Sequence, residues 1–270
     1  MSNLRLATRS DPPSLEALSR WAEVERWFGE RGDEAVPTEA GPELWSDRDW
    51  WLVADPTGGT RCIDTLSALM DALPDGPSEA AFRRAWWSMS DNSLVLNALL
   101  DRGLCRVFHG HPLTLSGRDA AAQRARFAAW ALAVRQGLPF PPELVPPLVP
   151  LRGAWPDRLS LVGGNLGALE RLAQTPWRPR PRGRVLLIES LSAPASQAAA
   201  RVQAVVEDPW WSDAAGVVLG RFTAADRDAP GWVEGCLSLL PPDLPVARWP
   251  LVGHGSDGWT VPLGEELSFH

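Results

Sequence analysis

The sequence predicts an α/β protein built around a parallel sheet. Short apolar runs typical of buried strands alternate with segments of helical periodicity, and a proline-rich stretch divides this pattern near the middle of the chain. We expect an N-terminal parallel-sheet α/β domain at residues 1–138, a proline-rich linker at 139–158 and a smaller, β-rich C-terminal domain at 159–270.

The first domain is predicted from strands that alternate with helices. Its predicted strands are Leu4 to Ala7, Trp50 to Ala54, Ala85 to Met89 and Arg106 to His109. A first helix is expected where apolar residues recur every three positions, at Leu15, Leu18, Trp21, Val24 and Trp27. A second helix has one apolar face formed by Ile63, Leu66, Leu69 and Met70, and a third apolar helical stretch runs through Leu100.

The second domain begins after a segment that neither a helix nor a central strand accommodates. Seven prolines lie between residues 138 and 156, and proline lacks the backbone donor that both structures need. Beyond this segment we predict a strand from Arg184 to Ile188, a helix from Ala195 to Val206 and a strand from Gly216 to Leu219.

Composition narrows the function classes. The net charge of -7 argues against a surface that binds nucleic acid or acidic lipid. The N-terminal residues lack the basic start and apolar run of a signal peptide, and no apolar stretch approaches the roughly 20 residues that span a bilayer. Cys62, Cys105 and Cys236 are odd in number and widely spaced, as expected of free thiols in a reducing compartment. We therefore expect a cytoplasmic protein with neither a membrane nor a nucleic-acid partner.

Aromatic residues and histidines are distributed unevenly. The chain has fifteen tryptophans and no tyrosine, and tryptophan pairs either line a ligand pocket or, as we favour, fill the core. Only four histidines are available to move a proton near neutral pH. His109 and His111 flank a glycine and form a candidate metal pair, but no carboxylate cluster lies beside them in the sequence. His254 lies between two glycines, which permit a tight backbone and an exposed imidazole.

Three further features have a functional and a structural interpretation. Ser90 lies between an apolar run and a helical stretch, where it is either a nucleophile at a strand-to-helix turn or a helix cap. Glu189 either ends a buried strand at a ligand-binding edge or lies in a solvated loop. The pairs Gly58–Gly59 and Gly163–Gly164 either present backbone N–H groups to an anion or form plain turns. Taken singly, each fits the structural interpretation better.

Six motifs in order along the chain resemble the LD-carboxypeptidase family of serine peptidases, which includes the microcin C immunity peptidases. The motifs are Ser88–Asp91, Val107–Pro112, Leu161–Leu166, Gly183–Glu189, Gly216–Phe222, and Pro250–Gly255 running to Pro262–Gly264. The order and spacing of Ser90, Glu189 and His254 are also similar to those of the family, and the resemblance covers most of the chain from Trp50.

The resemblance implies a catalytic triad and a reaction. Ser90 would be the nucleophile in the N-terminal domain, His254 the general base that later protonates the leaving amine, and Glu189 the residue that orients the imidazole. The implied reaction needs no metal and no cofactor. It is hydrolysis through an acyl-enzyme that releases terminal D-alanine from a cytoplasmic murein tetrapeptide during peptidoglycan recycling. The implied partner is therefore a small peptide substrate, and family members are commonly homodimers.

The resemblance also implies an oxyanion hole formed by the backbone N–H of Asp91 and one N–H from the Gly58–Gly59 turn. The sequence departs from the family in three places. Ser88 replaces the usual glycine two residues before the nucleophile, and the segment before Trp50 is shorter. The loop before Gly163 lacks a tryptophan-bearing insertion like the nucleotide-gripping loop of the immunity peptidases, although Trp155 is nearby.

These departures leave two alternatives open. One is a peptidase or amidase of the same fold that acts on a peptide antibiotic, such as a microcin-like aminoacyl conjugate. The other is a catalytically silent homologue that binds muropeptides. A silent protein would have no reason to keep all three triad residues at the family's spacing, so we favour an active hydrolase.

Overall fold

A computed structural model describes the backbone of residues 3–8, 35–39 and 50–55, and residues 84–110, 120–255 and 257–268, with the side chains of 120 and 124 left aside. Several predictions fall outside these ranges. They are the helices predicted at 15–27 and 63–70, the Gly58–Gly59 turn, Cys62 and His111.

The described strands follow one another along the whole chain. They are β1 Asn3–Thr8, β2 Ala35–Glu39, β3 Trp50–Asp55, β4 Ala85–Ser88, β5 Arg106–His109, β6 Val149–Arg152, β7 Arg158–Asn165, β8 Val185–Ser190, β9 Gly216–Phe222, β10 Val246–Arg248, β11 Val261–Leu263 and β12 Glu266–Ser268.

All of the described helices lie after β4. They are α1 Ser93–Arg102, α2 Ala120–Gln136, α3 Leu166–Leu172, α4 Ala195–Glu207, α5 Thr223–Asp228 and α6 Trp232–Leu239, with short 3₁₀ turns at Ser90–Asn92 and Pro142–Leu144.

The strands form two sheets of six strands each within the described ranges. The first sheet has the order β11-β5-β4-β3-β1-β2, and all its strands are parallel except the edge strand β11, which pairs antiparallel with β5. The second sheet has the order β12-β7-β8-β9-β10-β6, with a parallel centre and antiparallel edges at β12 and β6. The predicted α/β class is therefore confirmed.

The two sheets share a core that is continuous through α1. This helix contacts β4 and β5 of the first sheet, β7 of the second, and α3. All six residues of β8 are buried, because α3 packs on it and neighbouring strands flank it. A fully buried parallel strand reads as an unbroken apolar run rather than an alternation, which explains why this strand was predictable from its sequence.

Buried tryptophans fill this core, as we predicted. Trp87 packs against Phe127 and Trp130 of α2, with ring centroids 4.4 and 5.3 Å away. Trp86 and Trp211 are also buried. Aromatic side chains of this size contribute much of the apolar area that a core removes from water.

The proline-rich segment, predicted as a linker, contains an edge strand. Val149–Arg152 pairs antiparallel with β10 and forms the edge of the second sheet, where proline is tolerated because one side of the strand needs no partner. The Pro146 carbonyl accepts a hydrogen bond from buried Trp249 Nε1 at 2.8 Å. The proposed division at residues 138 and 159 remains a prediction.

Candidate active site

Ser90 lies on a strained turn between β4 and α1. Its φ is +58°, and it is the one non-glycine residue with a positive φ in the described part of the chain. The buried Ser88 hydroxyl accepts a hydrogen bond from Asn92 Nδ2 at 2.8 Å, and the Ser88 carbonyl accepts one from the Gly110 N–H at 3.1 Å. The turn is therefore tight despite the serine at position 88, and the left-handed residue is the geometry in which a strand-to-helix turn presents a nucleophile.

Asp91 follows Ser90 and is fixed from the other half of the protein. Its carboxylate forms an ion pair with Arg171 of α3, and Arg171 Nε also donates to the Gly167 carbonyl at 3.1 Å. The Asp91 N–H lies in the first turn of a helix, where backbone donors have no partner within the helix. It is therefore suited to bind a developing oxyanion.

Glu189 is a buried carboxylate near the carboxyl end of β8, and not the solvated loop residue that its position alone also allowed. Its Oε2 lies 2.6 Å from His254 Nδ1. Its Oε1 accepts a hydrogen bond from Asn165 Nδ2 at 3.2 Å and lies 3.7 Å from His109 Nε2. Asn165 is the direct neighbour of Glu189 in the register of β7 and β8, so parallel pairing brings them together.

His254 reaches Glu189 from the loop after β10. Gly253 before it has φ +126°, and a Cβ there would come within 3.1 Å of the Glu189 side chain, so only glycine lets the loop approach this closely. The Thr223 hydroxyl donates to the His254 carbonyl at 2.8 Å. Glycine therefore gives the loop a tight backbone here, as we predicted, but the imidazole is mostly buried and only about a tenth of its side chain is exposed.

The pair has the electrostatics of a carboxylate that supports a base. Burial alone would lower the pKa of His254, but the charge and hydrogen bond of Glu189, and the charge of Asp91, raise it above its usual 6.5. Burial alone would raise the pKa of Glu189. The charge and hydrogen bond of His254, with smaller contributions from His109 and Asn165, instead bring this pKa below its usual 4.5. Glu189 is therefore ionised at neutral pH.

The structure brings Glu189 and His254 into direct contact, whereas Ser90 forms no hydrogen bond with either of them. Within the described residues, the partly exposed Ser90 hydroxyl has no hydrogen-bond partner. Asp91 is nevertheless close enough to raise the pKa of His254. Hydrogen bonds between a nucleophile and its base commonly tighten only when substrate binds. Gly58 and Gly59 lie outside the described residues.

The sequence did not reveal the roles of three residues that contact Glu189 or its partners: Asn165, Ser93 and His109. Asn165 caps α3, since its Oδ1 accepts from the N–H groups of Gly167 and Ala168, and its backbone N–H donates to Ser93 Oγ at 2.9 Å. His109, which we considered as half of a metal pair, is buried and directs Nε2 toward Glu189. Its position at the carboxyl end of a predicted strand was the signal that could have revealed it.

The described residues were also compared with the requirements of a metal site and of a membrane-spanning helix. In the ranges covered by the structure, no cluster of three or more His, Cys, Asp and Glu side chains has the arrangement needed to hold a metal ion. Within the same ranges, every helix is too short or too polar to cross a membrane.

Comparison with known proteins gives a family match in the second half of the chain and structural matches along nearly all of it. Residues 160–269 match the family model described as the LD-carboxypeptidase C-terminal domain. No curated protein matches the chain in sequence.

Three solved structures illustrate the structural matches. The microcin C7 self-immunity protein MccF is 14% identical, with a TM-score of 0.73 over 98% of this chain and 92% of its own. Muramoyltetrapeptide carboxypeptidase from Oxalobacter formigenes is 21% identical, with a TM-score of 0.67 over 98% and 94%. An MccF-like protein from Bacillus anthracis is 13% identical, with a TM-score of 0.69 over 98% and 92%. At these identities the similarity establishes the fold.

Fold and site together define a class: an α/β protein with a serine, a carboxylate and a histidine at the carboxyl ends of its parallel strands. The matched C-terminal domain specifies the family within this class. Residues 160–269 form the C-terminal domain of the LD-carboxypeptidase family, as the motifs predicted.

Proposed function

We propose that this protein is a serine carboxypeptidase that hydrolyses the L,D-peptide bond before the terminal D-alanine of a murein tetrapeptide. The observation that carries the proposal is the buried Glu189–His254 contact of 2.6 Å, together with the left-handed turn that presents Ser90. The match of residues 160–269 to the LD-carboxypeptidase C-terminal domain supports the choice of substrate. Peptidoglycan recycling in the cytoplasm is the role in which such an activity would serve.

The proposed mechanism begins with the proton on Ser90. His254 donates Nδ1–H to Glu189, which leaves the Nε2 lone pair to accept the Ser90 proton as the oxygen attacks the scissile carbonyl. The Asp91 N–H stabilises the resulting oxyanion, and removal of one such donor typically costs about 10²–10³ in turnover. His254 then protonates the leaving D-alanine amine, and water hydrolyses the acyl-enzyme by the same steps.

The raised pKa of His254 predicts the pH dependence of this reaction. The base must be neutral to accept a proton, so activity should rise with pH through the pKa of His254, which lies above 6.5. The proposed enzyme is therefore expected to lose activity in mildly acidic solution.

A second candidate is a same-fold peptidase that acts on an aminoacyl antibiotic conjugate. The similarity to MccF over 98% of this chain is the observation in its favour. Trp155 argues against it as a tryptophan that grips a nucleotide. Its ring packs beside Gly216, at the start of β9, whereas Glu189 lies near the opposite ends of the adjacent strands.

A direct test is incubation of the purified full chain with a murein tetrapeptide, followed by mass spectrometry of the products. We expect release of D-alanine by the unmutated protein and by Ser238→Ala, which removes a hydroxyl from the exposed side of α6. Ser90→Ala should lower this rate by about 10⁴ or more, as for other triad members.

Other outcomes of this experiment would favour one of the two alternative functions. An intact tetrapeptide combined with cleavage of an aminoacyl sulfamoyl nucleotide would favour the antibiotic-directed peptidase. Binding of the tetrapeptide without cleavage of either compound would indicate a silent muropeptide-binding protein. Equal D-alanine release by Ser90→Ala would overturn Ser90 as the nucleophile.

A further inference from the structure

A second buried histidine lies against the carboxylate of the proposed triad. His109 ends β5 of the first sheet and is fully buried, and its Nε2 is 3.7 Å from Glu189 Oε1 in the second sheet. Within the described residues Nε2 has no hydrogen-bond partner, although a buried ring N–H is costly to leave without one. This nitrogen and the Oε1 atom are therefore positioned to interact directly.

The surroundings of His109 determine which of its nitrogens carries the proton. Its Nδ1 lies 3.5 Å from Ser93 Oγ, and this oxygen already accepts a hydrogen bond from the Asn165 N–H at 2.9 Å. A hydroxyl oxygen has two lone pairs, so Ser93 Oγ can either donate to Nδ1 or accept from it, and the surroundings of Nε2 decide between the two. Since a lone pair on Nε2 would face a carboxylate oxygen, Nε2 must carry the proton.

The resulting bonds run in one direction across the two sheets. The Asn165 N–H donates to Ser93, and the Ser93 O–H to His109. The His109 Nε2–H faces Glu189 Oε1 across 3.7 Å, and the other oxygen of Glu189 receives the His254 proton. Each N–H or O–H in this series faces an acceptor, so the arrangement is consistent with a neutral His109.

Charge favours the same neutral state. Among the described residues, the titratable groups that face His109 are Glu189 on β8 and His254 on the loop after β10. Its other neighbours on α1, β4, β7 and β11 are uncharged: Ser93, Ser88, Gly164 and Val261. Burial lowers the pKa of His109 to about 4, against the opposing charge of Glu189 and with the help of His254.

We propose that His109 is a positioning residue that, as a neutral Nε2–H imidazole, holds Glu189 in the orientation in which this carboxylate binds His254. The inference rests on the proposed function, because it concerns the orientation of a triad carboxylate. His109 contacts neither substrate nor nucleophile in this arrangement. It acts through Glu189, and it makes the orientation of that carboxylate depend on the first sheet as well as on the second.

The first test observes the tautomer and does not depend on catalysis. The four histidines of the full chain can be resolved by two-bond ¹H–¹⁵N NMR of their ring nitrogens. We expect one histidine, lost in His109→Gln, to remain in the Nε2–H form down to about pH 5. A His109 in the Nδ1–H form, or one that titrates near its ordinary pKa of 6.5, would overturn the proposal whether or not the protein is a peptidase.

The second test separates positioning from general stability. His109→Leu removes both ring nitrogens, whereas His109→Gln restores an amide N–H near the place of Nε2. We expect the leucine variant to lose up to about 10² in kcat with KM unchanged, since misplacement of a catalytic group by 1 Å costs about this much. The acidic limb of its pH–activity profile, where activity falls as His254 is protonated, should move to lower pH. A weakened Glu189 contact leaves burial to lower the pKa of His254.

Glutamine should recover most of the lost kcat and return the acidic limb toward its original pH. Thr175→Val is the matched control, since it deletes a buried side-chain hydrogen bond to the Leu172 carbonyl away from the site. This control should leave both kcat and the limb unchanged. A leucine variant with the kcat and limb of the unmutated enzyme would refute the proposal. Inactivity of the unmutated chain toward every peptide would instead count against the proposed function, and the tautomer would still decide the role of His109.

Discussion

The two histidines on either side of Glu189 share one carboxylate and have opposite electrostatic properties. His254 is 2.6 Å from Oε2 and its pKa is raised, whereas His109 is 3.7 Å from Oε1 and its pKa is lowered to about 4. Both are buried, so burial acts on each in the same direction. Glu189 raises the pKa of both histidines, but it outweighs burial only at His254, where a short hydrogen bond and the charge of Asp91 add to its effect.

Glu189→Gln should have the largest effect on activity, because it removes the charge that the two histidines share. An amide at this position can donate to His254 Nδ1 and so leave the proton on Nε2, the tautomer that cannot act as a base. We expect kcat for D-alanine release to fall by about 10⁴. Burial would then control the pKa of His254, which should fall below 6.5 in an NMR titration.

Glu170→Gln is a matched control for that variant. Glu170 lies on α3, and its carboxylate pairs with Arg201 through contacts of 2.6 and 2.8 Å at a partly exposed position. Its loss should leave the rate of D-alanine release unchanged. A Glu189→Gln enzyme within tenfold of the unmutated rate would show that the carboxylate charge is not needed.

The free energy of unfolding should depend on pH through His109, with an effect of intermediate size. Below pH 6.5 the unfolded chain binds a proton at His109 that the folded chain refuses until about pH 4, so this residue makes folding less favourable as pH falls through that window. The free energy of unfolding should lose about 3 kcal/mol from this source, since each tenfold change in proton affinity corresponds to about 1.4 kcal/mol.

Urea unfolding at pH 7, 6, 5 and 4 measures this loss. The difference in stability between the unmutated protein and His109→Gln should shrink steadily toward pH 4. His254 contributes with the opposite sign, because its raised pKa gives stability that is complete below 6.5 and is lost as pH rises through its folded value. Parallel pH profiles for the two proteins would contradict the low proton affinity of His109.

Asn165 offers the smallest and most selective perturbation. Asn165→Ala removes the cap of α3 and the amide donor to Glu189, and we expect a loss of about 1 kcal/mol in the free energy of unfolding from the cap. Asn165→Ser keeps a capping oxygen but lacks the amide donor. The serine variant should recover stability in urea unfolding. In both variants kcat should fall about tenfold, because neither side chain donates an amide N–H to Glu189. Full recovery of kcat by serine would show that the bond to Glu189 does not matter.

The sequence was sufficient for much of the architecture and for part of the site. Strands such as β4 and β8 were predictable because continuous apolar runs identify strands buried on both faces. The helix α2 was not predicted, because tertiary packing of Trp87 and Trp130 rather than a regular apolar face accounts for its place in the core. The proline-rich edge strand β6 was missed for a similar reason, since its pairing depends on a strand almost 100 residues later.

The contacts of the site were less predictable than its residues. Ser90, Glu189 and His254 were identifiable from their order and motifs, although each alone resembles an ordinary cap, loop carboxylate or turn histidine. The role of His109 depends on a contact between strands of different sheets, and no local pattern encodes which side chains meet there. Its partner Ser93 looked only like the start of a helix.

The pairing of β11 and β12 has a consequence for how a substrate enters. These two consecutive strands follow His254 and insert into different sheets, β11 beside β5 and β12 beside β7. Only residues 264 and 265 separate the two strands, so little chain is left for a hinge that would open one sheet away from the other. Access to the histidine is therefore expected to be controlled by loops at its rim, while the two halves of the molecule move as a single rigid unit.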